Sequence, residues 1–182
     1  MLLADILNRT SVSAKRLLAP GPTADELEKI VTAGLTAPDH GGLRPWRFIH
    51  IPDERRAALA DIFAAIASDE PERARAKALN APCLIAVVAR LQPDNPKVPV
   101  REQYASVGAA ITQMLLAANI LGFGAIMLSG ARCTDPRLLA ALGLRGNEEL
   151  MGFLSVGTVD GPVKPKPRPP LGNHLSVWNG PE

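Results

Sequence analysis

Ala37-Pro38-Asp39-His40-Gly41-Gly42-Leu43-Arg44-Pro45-Trp46 is the stretch that decides how this chain is read. Pro38 stops a helical pattern, because its ring removes a backbone donor and clashes with the preceding turn. A polar, glycine-bearing turn follows. Arg44-Pro45-Trp46 then leads into the apolar run Phe48-Ile49-His50-Ile51, so a strand is predicted from Trp46 to Ile51. Polar groups and open backbone beside an anchored tryptophan suit a flat ligand with polar edges. Near the N-terminus stands Asn8-Arg9-Thr10-Ser11. There Arg9 could grip a phosphate in forked fashion, with Thr10 and Ser11 donating hydroxyl or amide hydrogens. Arg-Thr-Ser alone fits a solvated helix end equally well.

Ala4 to Asn8 reads as a short helix. Thr23 and Glu26 form a capping-box pattern ahead of Leu27, Ile30, Val31, Gly34 and Leu35 at helical spacing. Glu54 to Ser68 reads as helix. Glu70 to Leu79 reads as a charged, exposed helix or a mobile flap. Cys83 to Ala89 is continuously apolar, the pattern of a central strand buried on both faces. Pro99 suits the first turn of a long helix that Gly122 ends. Its stretch from Tyr104 to Leu121 is apolar on nearly every face, so it is expected to be buried all round, and its small residues suit the centre of a dimer. Ala125 to Ser129 reads as a strand, Asp135 to Leu142 as a helix and Met151 to Val156 as the last core strand. Six of the 17 prolines lie from Pro162 onward, which rules out regular helix there. The expectation is a single core domain over 1–160 and an extended proline-rich arm over 161–182. Helices and strands mix without strict alternation, so the fold class is an α+β sandwich.

The 182 residues suit one domain with a sizeable core, and a hydrophobic share of 47% argues against disorder. The net charge is +2 and the basic residues are scattered, which argues against nucleic acid as a partner. Cys83 and Cys133 lack the spacing of a redox pair or a zinc site, and read as buried thiols in a reducing compartment. Asp5 interrupts any signal-peptide core, and no apolar run approaches the roughly 20 residues of a membrane span. A cytoplasmic protein without membrane contact is expected. His40 has neither a nucleophile elbow nor clustered ligands around it, so neither a triad nor a metal site is expected. It reads better as a hydrogen-bond donor to a polar ligand edge. Gly122-Phe123-Gly124 lies after a helix and before a strand, the reverse of a Rossmann turn.

Taken together, these segments resemble the FMN-dependent nitroreductases, and most of all the short bacterial NAD(P)H nitroreductases. Asn8-Arg9-Thr10-Ser11 is similar to the family's Arg-x-Ser start, and Pro38-Asp39-His40 through Arg44-Pro45-Trp46 to its central loop. Gly122-Phe123-Gly124 with Leu128-Ser129-Gly130 resembles the strand beside the flavin ring. Gly152-Phe153-Leu154 to Gly157-Thr158 resembles the last core strand, and Lys166-Pro167-Arg168-Pro169-Pro170 the late Lys-x-Arg-x-Pro element. These matches run in the family's order.

The resemblance implies a central, mostly antiparallel sheet flanked by helices, with a C-terminal arm crossing to the partner in a homodimer. It implies FMN held non-covalently at the interface, NADH or NADPH as electron donor, and a small acceptor such as a nitroaromatic or quinone, served in ping-pong fashion. Arg9, Thr10 and Ser11 would hold the phosphate and ribityl end, with Arg168 and Lys166 adding charge. Thr36 and His40 would reach the flavin from the other subunit. Met127, Leu128 and Ser129 would line the ring. No catalytic side chain is implied, because the cofactor carries the chemistry.

Three features depart from the family pattern. Asp39-His40 replaces a common Ser-Ser, and Arg44 replaces a glutamine. Ser13 stands where many relatives have a lysine near the flavin's pyrimidine edge, a role left to Lys15 or Arg44. These departures keep open a flavin-binding or sensor protein without turnover. Further alternatives are a flavin-dependent dehalogenase or ring-cleaving enzyme on the same scaffold, and a cofactor-free interaction protein.

Overall fold

Five strands, β1 (Leu17–Leu18), β2 (Trp46–Ile51), β3 (Cys83–Arg90), β4 (Gly124–Leu128) and β5 (Glu148–Val159), pair antiparallel in one sheet. The computed structural model describes residues 2–181, so Met1 and Glu182, the outer ends of the expected core and arm, lie outside it. Along the sheet the order is β1-β5-β3-β2, and β4 also pairs with β5. Six helices accompany the strands: α1 (Leu2–Asn8), α2 (Ala24–Leu35), α3 (Asp53–Ile66), α4 (Pro71–Leu79), α5 (Val100–Ile120) and α6 (Pro136–Ala141). The expected α+β sandwich is the observed architecture.

Side chains alternate across a strand, and this divides the core in two. Ile85, Val87, Leu154 and Val156 face α2 and α5 and pack with Ile30 and Met114. Leu84, Ala86, Val88 and Phe153 face α3, α4 and α6 and pack with Leu59, Phe63 and Leu138. β3 is buried at every position but Arg90, as its unbroken apolar run requires. The capping box forms as read: the Thr23 backbone N–H donates to Glu26 Oε2 at 2.8 Å, and the Glu26 N–H donates to Thr23 Oγ1 at 3.3 Å.

Two expectations need correction. The long helix α5 is not buried all round. Val107, Ala110, Met114 and Ala118 are buried at helical spacing, but Ala105, Gly108 and Thr112 are exposed on the opposite side. The sheet and α2 cover part of its circumference, and no described residue covers the side that carries Ala105, Gly108 and Thr112. The last strand starts at Glu148, three residues before the expected Met151, and ends at Val159. Its charged start looks like loop in sequence. Glu148 is nevertheless buried, because Arg47 grips it through Nε at 2.9 Å and Nη2 at 2.7 Å. Of the two readings of Glu70 to Leu79, the charged helix is the one that forms, from Pro71 to Leu79. Ala74 and Ala78 of α4 are buried against α3, and Arg56 donates to the carbonyls of Ala78, Asn80 and Ala81 at 2.7–2.9 Å.

Tyr104, on α5, donates its hydroxyl to Glu149 Oε2 at 2.6 Å. Ionisation would break that bond, so the phenol is pushed up to about 12, with desolvation and repulsion by Glu149 adding. A raised acid contributes stability that is present below its ordinary value of 10 and is lost as pH rises toward 12. Tyr104 is the single tyrosine, so alkaline absorbance titration reads it directly. The expected midpoint lies near 12 and returns toward 10 in Glu149→Gln; equal midpoints in the two proteins would contradict the assignment.

Beyond Val159 the described chain has no helix or strand except one 3₁₀ turn at Leu171–Asn173. Leu171, Leu175, Val177 and Trp178 stand 64–85% exposed. Arg16 anchors the start of this segment through the carbonyls of Asp160 and Pro162. Arg168 returns to the body by donating to the carbonyls of Leu7 and Arg9 at 2.9 and 2.7 Å.

Candidate functional site

Between the N-terminal loop and the α3–α4 face of the sheet lies a cavity of about 410 Å³. Its floor follows from strand register. Ser155 pairs with Leu84 on one side and with Ile126 on the other, and Leu128 pairs with Phe153. The side chains of all five face the cavity. The floor is thus flat and apolar apart from Ser155, a residue only 2% exposed. Phe63 of α3 forms part of the wall.

The rim is polar and basic. Val12 turns into the core and its N–H donates to Ala125 O at 3.2 Å, which leaves Ser11 and Ser13 facing the cavity. Lys15 follows from the 3₁₀ turn, Lys77 and Asn80 from the end of α4, and Lys166 from the C-terminal segment. Arg132 lies on a 3₁₀ turn entered through Gly130, whose φ of 145° is open to glycine. Its guanidinium sits 4.5 Å over the Phe63 ring, a cation–π contact. Burial pulls the Arg132 pKa down, but arginine stays charged at any working pH. Four cations and no carboxylate line this cavity, so it favours an anionic ligand.

A second cavity of about 440 Å³ adjoins it and shares Lys166. Thr10, Val12, Asn119, Phe123 and Arg168 are among its walls. Thr10 Oγ1 is buried and has no hydrogen-bond partner. A buried hydroxyl left unpaired costs roughly 1–3 kcal/mol, so this atom suits a polar ligand.

The structure gathers most of the expected site residues and separates others. Ser11, Leu128 and Ser129 line the first cavity, and Thr10 and Arg168 the second. Arg9 is tied to this region through its carbonyl, which accepts from Arg168. Met127 lies on the opposite face of β4 from Leu128 and packs into the α2–α5 core, so only its backbone can meet a ligand over the floor. Thr36 closes α2 by donating to Ala33 O at 2.8 Å. His40 Nδ1 lies 2.6 Å from Glu102 Oε2. Neither lines either of these two cavities. Of the two candidates for the missing cation, Lys15 is at the cavity and Arg44 is in a different cleft. Lys77, Asn80, Arg132, Ser155 and Phe63 escaped sequence reading. No local motif marks them, because they converge from α3, α4, β5 and the turn after β4. Among the described residues, no group of three or more His, Cys, Asp or Glu is placed to hold a metal, and no helix is long and apolar enough to cross a membrane.

A five-stranded antiparallel sheet with a basic, flat-floored cavity between an Arg-Thr-Ser loop and the strand before Ser129 defines a class. Residues 6–158 match the sequence model described as the nitroreductase family, and the chain belongs to that family, an oxidoreductase class. It is 40% identical over 159 residues to YdjA of Escherichia coli (strain K12), which is provisionally named an NAD(P)H nitroreductase; the match covers 84% of this chain and 85% of YdjA. Its fold is similar to that of a nitroreductase-like family protein from Bacillus cereus, with a TM-score of 0.86 at 22% identity over 99% of this chain and 97% of that one. It is also similar in fold to a protein from Desulfovibrio desulfuricans described as a candidate nitroreductase in complex with FMN. There the TM-score is 0.76 at 24% identity, over 99% and 98% of the two chains.

Proposed function

We propose that the protein is an FMN-dependent NAD(P)H oxidoreductase of nitroaromatic or quinone-like acceptors, working as a homodimer. The observation that carries this is the joining of a flat, apolar, sheet-floored cavity to a basic one through Lys166, beside the unpaired Thr10 hydroxyl. That sequence of surfaces fits a ring system with a phosphorylated tail. The FMN complex of the D. desulfuricans protein supports the reading.

Bound FMN would supply the redox chemistry linking NADH or NADPH to the acceptor, and one shared open face would give ping-pong order. The chain's own residues bind, orient and exclude water. Arg9, Thr10, Lys166 and Arg168 hold the phosphorylated end, and Ser11 the polar chain beside it. Ile126, Leu128 and Phe153 keep the ring site dry, which strengthens every charge interaction there. Ser129 and the backbone of Met127 and Leu128 present polar groups at the ring's edge. Lys15, Lys77 and Arg132 face the cavity as cations and offset negative charge gained on reduction. Three cations near Ser13, where many relatives have a lysine, support turnover over a non-catalytic sensor.

The dimer completes the site from outside. Exposed Leu171, Leu175, Val177 and Trp178, with Leu3, Ile6 and Leu7 of α1, leave a large apolar surface uncovered. Residues 161–182 act as an arm laid on the partner, and the exposed face of α5 meets its copy across an interface of above about 2,000 Å². Thr36 and His40 then serve the other subunit's cavity.

An absorbance spectrum of the purified protein, followed by anaerobic NADPH titration, tests the reading. The protein should carry or take up FMN, bleach with NADPH and regain colour with a nitroaromatic acceptor, with parallel double-reciprocal plots. A colourless monomer with no affinity for FMN would refute it.

A further inference from the structure

A third cleft, of about 320 Å³, lies between the loop before β2, the end of β3 and the loop before β5. Three arginines line it: Arg44, Arg90 and Arg145. Its one carboxylate, Glu148, is already used. Arg47 takes both of its oxygens, and the Arg145 backbone N–H donates to Oε2 at 3.0 Å. The neighbouring Glu149 is engaged by Tyr104. Among the described residues, no carboxylate lies within 4.0 Å of the Arg44, Arg90 or Arg145 guanidinium.

The cleft is held in shape by its backbone. The Arg44 N–H donates to Asp39 Oδ2 at 2.6 Å, and the Arg44 carbonyl accepts from Trp46 N–H at 2.8 Å. The Arg90 N–H donates to Pro45 O at 3.0 Å, and Arg90 Nη2 reaches Arg44 O at 3.4 Å. These bonds fix Arg44 at a φ of +48°, a conformation a non-glycine residue keeps only when its surroundings impose it. Three like charges lining one cleft repel one another until an anion sits among them. Planar guanidinium forks match the oxygens of a phosphate, and a dianion answers three positive charges better than a carboxylate does.

We propose that Arg44, Arg90 and Arg145 form a binding site for a phosphate monoester, separate from the cavity that FMN would occupy in the same chain. Two sources present that chemistry: the 2′-phosphate of NADPH and a free phosphorylated small molecule. Only the first source rests on the reductase reading. The loop that carries Arg44 also carries His40, the residue assigned to the partner's cavity, so a dinucleotide serving one subunit could be gripped by the other.

Calorimetric titration of the full-length protein, with and without added FMN, separates the outcomes. The probes are 2′-AMP, 5′-AMP and inorganic phosphate. The proteins are wild type, Arg90→Ala, Arg145→Ala and Arg145→Gln, the last keeping its aliphatic stem. Wild type should bind, and each variant should bind about tenfold or more weakly at an unchanged unfolding midpoint. Tighter binding of 2′-AMP, with a raised KM for NADPH and an unchanged KM for NADH, assigns the site to the dinucleotide. Equal binding of all three probes assigns it to free phosphate. No binding by wild type, or equal binding by wild type and all variants, overturns the proposal. Phosphate binding without NADPH oxidation would overturn the reductase reading and leave this site standing.

Discussion

A chain ending at Val159 is expected to lose FMN affinity by about 1,000-fold and to fall apart into monomers. The truncation removes Lys166, which lines both cavities, and Arg168, which lines the second. Each charge-assisted contact to a phosphate is worth roughly 2 kcal/mol, and about 4 kcal/mol corresponds to about three decades in Kd. A further loss comes from the frame. Arg168 holds the carbonyls of Leu7 and Arg9, so its removal also frees the turn that presents Arg9 and Thr10. The core sheet ends at Val159, so the truncated chain keeps all five strands. Flavin titration by fluorescence quenching and sedimentation would measure the two effects. A flavin-bound dimer with unchanged affinity would remove both the arm and the basic end of the site.

Gly152→Ala is the other large effect. Gly152 sits in β5 at a φ of 141°, and a Cβ built there would lie 2.3 Å from Leu128 O and 3.0 Å from Met127 Cε. The first contact is with backbone, so β4 itself must move. Strain of about 1–3 kcal/mol from the backbone conformation adds to about 1–3 kcal/mol of overpacking, for a total of about 4 kcal/mol. The displaced segment is Leu128–Ser129, at the rim of the apolar cavity. Urea unfolding should show a lower midpoint at an unchanged slope, and any bound flavin should show an altered spectrum. Wild-type stability in the variant would mean that β4 does not approach β5 as closely as described.

Most of the fold was legible because local chemistry and tertiary need agree in this chain. The unbroken apolar run of β3 can only be a strand buried on both faces. The reciprocal Thr23–Glu26 pair marks a helix start wherever it occurs. Trp46 to Ile51 forms as read because Pro38 ends one element and Pro45 restricts the next. β1 was not legible: two leucines become a strand only because the end of β5 offers them Thr158 and Val159 as partners. The charged start of β5 was hidden for a similar reason, since Arg47, about a hundred positions away, turns Glu148 into a buried residue.

The site divides along the same line. Thr10, Ser11, Leu128, Ser129 and Arg168, expected from the resemblance of short runs to the family's segments, each line one of the two adjoining cavities. Ser155, Phe63, Lys77, Asn80 and Arg132 acquire meaning only when strand register and helix docking bring them to one cavity. Clustering them costs chain entropy and electrostatic repulsion that no local pattern records. Packing likewise separates the two candidate cations: Lys15 lines the first cavity and Arg44 lines a different cleft. The residue types along the chain determined the layers and the family. Tertiary structure decided which charges meet, because proximity between segments far apart in sequence is set by packing and not by spacing.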